Sequence, residues 1–151
     1  MPEPAAVPTL DGSPSAVGLL RDKGVRITAS RVAVLTAVED SPHIDADTVA
    51  HVVRDRLGAV STQAIYDALT LFTHLGLVRR IKPSGSSALY ETRIGDNHHH
   101  LMCRNCSMIL DVDCPAEAPR CLIPAETHGF LIDEAEVLYW GLCPRCQQPA
   151  T

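Results

Sequence analysis

The feature that most constrains this chain is a pair of Cys-x-x-Cys knuckles set far apart in the sequence. Cys103-Arg104-Asn105-Cys106 follows directly on three imidazoles, His98-His99-His100, and Cys143-Pro144-Arg145-Cys146 lies near the C-terminus. Two intervening residues let both sulfurs of a knuckle face one ion, and two knuckles together make a closed, tetrahedral four-thiolate site of the structural zinc kind. The insert between them lets distant parts of the chain be clamped together. The rival is redox chemistry, since Cys-Pro-Arg-Cys looks like a thioredoxin-type pair. Such a pair opens a helix after a strand in a βαβ unit, however, and this one ends the sequence.

The histidines are left over from that site. On a strand alternate side chains share a face, so His98 and His100 point together while His99 and Cys103 point the other way. Two imidazoles are half a metal site. Asp111, on the strand expected next, is the nearest carboxylate, and His43 joins them only if the N-terminal half folds back. Imidazole and carboxylate without thiolate suit Fe(II), Mn(II) or Zn(II). The bland alternative is an exposed polar strand end. Cys114 and Cys121 fit neither knuckle; buried thiols, a reversible disulfide or no function all stay open. His51, His74 and His128 read as ordinary surface or packing residues.

No apolar run approaches the roughly 18 residues a membrane span needs, and the Pro-rich N-terminus lacks the blocks of a signal peptide. A cytoplasmic location is therefore expected, and in a reducing compartment six cysteines argue for metal or redox chemistry over a disulfide scaffold. The net charge of −5 alone argues against nucleic acid. Its distribution matters more. Residues 15–93 carry ten Lys/Arg against eight Asp/Glu, whereas residues 94–151 carry three against eight. Halves of opposite sign point to two domains with two partners. Catalysis is not expected: there is no His-x-Glu of a zinc deaminase, no zincin helix motif, and a four-thiolate site leaves no position for water.

Along the chain, residues 1–13 have no hydrophobic period and read as a disordered tail. A winged-helix domain is expected over 14–93 and a metal-binding domain over 94–151. A short helix starts at Ser15, with Val17, Leu19 and Leu20 inward and Gly24 as its stop. Thr28 caps a second helix, in which Val32, Leu35 and Val38 recur at helical spacing until Ser41-Pro42. Asp45 or Asp47 caps a third, with Val49, Val52, Val53 and Leu57 inward and Gly58 ending it. Ser61 caps a fourth, where Ile65, Ala68, Leu69 and Phe72 face the core and Gly76 closes. Its other face shows Thr62, Gln63, Tyr66, Asp67 and Thr70, as a recognition helix over 61–75 would. Residues 77–82 and 88–92 read as a hairpin that forms a wing, with Arg80 and Lys82 as contacts to the phosphate backbone. Strands are expected at His98–Cys103 and 108–113, with one or two more in 130–142. Three prolines in 114–124 forbid a long helix there.

The run from Gly24-Val25-Arg26-Ile27-Thr28 through Arg31, Gln63-Ala64-Ile65-Tyr66, Tyr90-Glu91, His98-His99-His100 and both Cys pairs resembles the ferric uptake regulator family over nearly the whole chain past the tail. Asp111-Val112-Asp113-Cys114 and the residues from Glu136 to Cys143 look like its actinobacterial, catalase-associated branch. The resemblance implies an α+β protein, a winged helix-turn-helix followed by a C-terminal α/β dimerisation domain with structural zinc. It further implies a homodimeric repressor of palindromic operator DNA. A regulatory Fe(II) or Mn(II) would be held between the domains by His43, Glu91, His98, His100 and Asp111. Tyr66 matches a base-contacting tyrosine and Arg31 a backbone-contacting position. Iron sensors of the family often have Glu where Asp111 stands, and peroxide sensors have Asp; Glu91, by contrast, matches the iron-sensor pattern. Asn97 and Ala135 stand where many members have a third-site histidine. The functional expectation is a peroxide-responsive, metal-dependent repressor. An iron-availability sensor, a thiol-redox switch through the cysteines and a zinc-stabilised interaction module are the alternatives.

Overall fold

In the computed structural model, residues 15–96, 98–113, 124–133 and 135–148 are described. The expectations for the tail, for Asn97, and for the Pro-rich connection with Cys114 and Cys121 fall outside those residues. The chain divides into two compact units, Met1–Ile94 and Gly95–Thr151.

Four helices make up most of the first unit: α1 (Ala16–Asp22), α2 (Ala29–Asp40), α3 (Ala46–Leu57) and α4 (Thr62–His74). Each begins where a short polar side chain takes over an orphan N–H of the first turn. Ser15 accepts from the Gly18 N–H, Thr28 from Arg31, Asp45 from Thr48 and Ser61 from Ala64, at 2.9–3.2 Å. Gly24, Gly58 and Gly76, all at positive φ, follow the C-termini of α1, α3 and α4. The apolar faces converge on one core that includes Leu20, Val34, Leu35, Val38, Val49, Val53, Ile65, Leu69 and Phe72. Leu57 departs from its expected place: it is 43% exposed, because it sits in the last turn of α3 where the helix leaves the core.

A three-stranded antiparallel sheet closes this unit. The hairpin expected as a wing is β2 (Arg79–Ile81) and β3 (Leu89–Glu91), shorter than its apolar pattern. A strand absent from the sequence reading, β1 (Ile44–Asp45), pairs with β3 so that the order is β1-β3-β2. Four helices and a winged hairpin form a winged helix-turn-helix.

The second unit is a small sheet of order β5-β4-β6. Strands β4 (His98–Cys103) and β5 (Ile109–Asp113) run antiparallel; β6 (Leu138–Gly141) is parallel to β4. Among the described residues of 130–142 only β6 is a strand, and Phe130, Leu131 and Ile132 before it are exposed. One short helix, α5 (Pro144–Gln147), follows, started by Pro144 at its first position. No helix among the described residues is long and apolar enough to cross a membrane.

Candidate metal centres and nucleic-acid interface

The four knuckle cysteines meet in the second unit. Their sulfurs all lie within 4.8 Å of one another, with Cys106 Sγ 3.8 Å from Cys143 Sγ. A tetrahedron of metal–sulfur bonds of about 2.3 Å has edges of about 3.8 Å. The first knuckle is the turn between β4 and β5, with Ser107 at φ 60°; the second opens α5. Parallel pairing of β4 with β6 aligns Cys103 with Gly141 and so brings Cys143 alongside.

The backbone prepares these sulfurs for a cation. The Cys143 N–H donates to Cys103 Sγ at 3.4 Å, and with the Cys106 N–H it pulls the Cys103 thiol down to about 6. Cys143 is lowered by the N–H of Cys146. Cys146 goes the other way: the Asn105 amide favours its thiolate, but the Cys143 thiol and burial outweigh that and push it up to about 11. A cluster that favours some thiolates and resists the last needs a shared positive charge to ionise fully. This donor set of four thiols fits a soft or borderline divalent metal.

Within each unit, strand register pairs imidazole with carboxylate. In the first, antiparallel pairing of Ile44 with Tyr90 sets His43 beside Glu91, with Nε2 to Oε2 at 3.0 Å. His43 has φ 63°, a left-handed conformation that His tolerates better than branched residues and that turns its ring toward β3. The Glu91 carboxylate is fully buried, a costly place for a charge without cationic or donor partners.

In the second unit β4 pairs His100 with Asp111 directly across on β5. His100 Nε2 lies 3.4 Å and His98 Nε2 3.9 Å from the same Asp111 oxygen. The two rings pack edge to face at 4.9 Å. Both are fully buried, so the reading of an exposed polar strand end is overturned. His99, on the opposite face, is buried against Tyr139 with neither ring nitrogen hydrogen-bonded among the described residues. Behind His98 stands a residue the sequence reading passed over: Asp96 meets its Nδ1 at 2.5 Å. An Asp-x-His spacing at a strand start is the signal that was there to find.

On the first unit Tyr66, Arg80 and Lys82 line one concavity together with Asp45 and Asp47. Thr62, Gln63, Tyr66, Arg80 and Lys82 are all exposed. Arg31 binds back to the Arg26 carbonyl at 2.9 Å. Thr62 is engaged by Arg54, which also holds the Val60 carbonyl and so ties the end of α3 to the start of α4. Gln63 donates its amide to Asp67 one turn on, at 2.7 Å.

A winged helix-turn-helix joined to a β unit with a four-cysteine cluster and a buried His/carboxylate set defines a metal-dependent, DNA-binding transcriptional regulator rather than an enzyme. Residues 22–139 match the ferric uptake regulator family, and the chain belongs to that family. It is 55% identical over 127 residues to the transcriptional regulator FurA of Mycobacterium tuberculosis, covering 84% of this chain and 86% of that one. Against ferric uptake regulation protein 1 of Mycolicibacterium fortuitum the identity is 54% over 124 residues, 82% and 77% of the two chains. The fold is also that of the Helicobacter pylori ferric uptake regulator, with a TM-score of 0.73 at 18% identity over 88% of this chain and 89% of that one.

Proposed function

We propose that this regulator is a homodimeric repressor that holds palindromic operator DNA in its metal-loaded form and releases it on exposure to peroxide. Residues 14–93 would read DNA, and residues 94–151 would dimerise and bind metal. The observation that carries the sensory part is the short carboxylate Asp111, shared by the Nε2 atoms of His98 and His100 on a buried sheet face.

The cysteine cluster would hold a structural Zn(II). His43, Glu91, His98, His100 and Asp111 would hold one regulatory Fe(II) or Mn(II), a donor set of imidazoles and carboxylates that suits either. Each unit supplies only part of it, so occupancy favours one angle between the units. In a two-fold dimer that angle sets the spacing of the two α4 helices, which must match half-sites on one face of DNA. Each tenfold gain in operator affinity needs about 1.4 kcal/mol of differential binding. Iron held by these residues would supply one-electron chemistry toward peroxide, and the imidazoles of His43 and His98 would be the oxidisable side chains beside it.

On the DNA side, Thr62, Gln63 and Tyr66 are assigned to the major groove, and Arg31, Arg80 and Lys82 to phosphates. Dimerisation is assigned to the β unit, where Leu101, Leu110 and Tyr139 stack across three strands while each stays about half exposed. Such an apolar face seeks a cover.

Gel shifts on the regulator's own promoter, metal-replete and with or without peroxide, test the reading. Asp111→Glu should keep metal-dependent binding and blunt release by peroxide; unchanged release would count against it. The buried Glu91 favours a second reading, a sensor of iron availability, in which chelation releases DNA and peroxide does not.

A further inference from the structure

We infer that Asp96 is a positioning residue for the regulatory metal, holding the His98 ring so that Nε2 and no other atom is offered to the ion. The inference rests on the metal site proposed above, and it assigns a role to a residue outside that donor set.

The geometry is local to the β unit. Asp96 follows Gly95, whose φ of 76° turns the chain just before β4, and its carboxylate meets His98 Nδ1 at 2.5 Å. A carboxylate only accepts, so Nδ1 carries the ring proton. In a neutral imidazole the lone pair then falls on Nε2, the nitrogen that faces Asp111. Without Asp96 the Nδ1 proton loses this acceptor, and nothing in this contact then disfavours the other tautomer or a turned ring.

Asp96 does not itself fit as a ligand beside Nε2, because it occupies the far side of the imidazole. Its own side chain is 43% exposed while His98 is fully buried. The charge thus stays partly solvated while this hydrogen bond reaches inward, which avoids the cost of a second buried carboxylate. Partners of this kind fix the tautomer and raise the basicity of a ligating histidine, and their removal typically lowers metal affinity about 10- to 100-fold.

The test uses the full-length, zinc-loaded protein with Asp96→Ala, Asp96→Asn and His98→Ala variants. Two readouts are taken: Mn(II) affinity by titration, and the His98 tautomer by NMR of histidine-labelled protein without added Mn(II). Asp96→Ala should lose about 10- to 100-fold in Mn(II) affinity, with zinc content and circular dichroism unchanged. Asp96→Asn should lose less, since its amide oxygen still accepts from Nδ1. His98 should be the Nδ1–H tautomer in the parent protein and a mixture in Asp96→Ala. A parent ring protonated on Nε2, or Mn(II) affinity in Asp96→Ala within twofold of the parent, overturns the inference. If the parent protein binds no more Mn(II) than His98→Ala does, the metal-site reading itself fails, and the inference falls with it whatever the tautomer.

Discussion

The two units are built on different principles. The first buries Leu, Ile, Val and Phe from four helices in a single apolar core. In the second, the buried side chains among the described residues are three histidines, Met102, Cys103 and Cys143. A β unit this small cannot bury enough apolar surface to stand by hydrophobic effect alone, and units of that size lean on metals or disulfides. The contrast separates two sources of stability: packing in the first unit and, in the second, the coordination that a metal at the cysteine cluster would supply.

The sharpest way to break this contrast is Cys143→Ser, which opens the cysteine cluster. Zinc content should fall to background and amide protection should vanish across β4 to β6, while α2 to α4 keep theirs. Structural zinc contributes on the order of 10 kcal/mol in small folds, so partial loss is not expected. Equal loss of protection in both units would end the claim that they are separately stabilised.

The converse change is Phe72→Ala in the helical core. It should destabilise the first unit by about 3–5 kcal/mol in urea unfolding and leave bound zinc untouched. A drop in zinc stoichiometry would show that the units share a core.

A smaller effect is expected at the exposed sheet face. Leu101→Asp should weaken self-association at least about tenfold by sedimentation, roughly 1.4 kcal/mol, without loss of zinc. A dimer of unaltered strength would place the contact elsewhere.

The smallest effect separates a cap from a charge. Burial tends to raise the Asp45 carboxyl, but the Thr48 N–H and hydroxyl outweigh it and hold the group below its ordinary 3.8. A lowered folded value means the carboxylate's contribution is complete above 3.8 and drains away as pH falls through the lower folded value. Asp45→Ala should cost about 1 kcal/mol at neutral pH, the usual worth of an N-cap. Asp45→Asn should cost less there, and its advantage over the parent should appear only below pH 3.8. A parent protein whose stability already declines near pH 5 by this route would contradict the assignment.

Much of the first unit was legible because its signals are local. Ser15, Thr28, Asp45 and Ser61 each announce a helix within three residues, and Ile65, Ala68, Leu69 and Phe72 mark one face by period alone. Strand β1 was not legible: two residues have no period, and Asp45 shows only its role as a cap. Leu57 misled because period does not say where a helix outruns its core. In the metal centres the cysteine cluster could be read from soft ligands at fixed spacing. Glu91 could not be read from local sequence, since its partner His43 is set by strand register across forty-odd residues and only the family resemblance pointed to it. The Arg54 bonds to Val60 and Thr62 were hidden for a similar reason: a long side chain reaching across a turn has no pattern to betray it.

The left-handed turn at His43 has a mechanical consequence. The imidazole, the β1 pairing and the cap of α3 fall on three consecutive residues, His43, Ile44 and Asp45, with no slack between them. A pull on the ring would meet no intervening loop before the first turn of α3, whose Asp45 and Asp47 share a concavity with Tyr66, Arg80 and Lys82. Under such a pull the segment would act as a crank whose handle is one histidine.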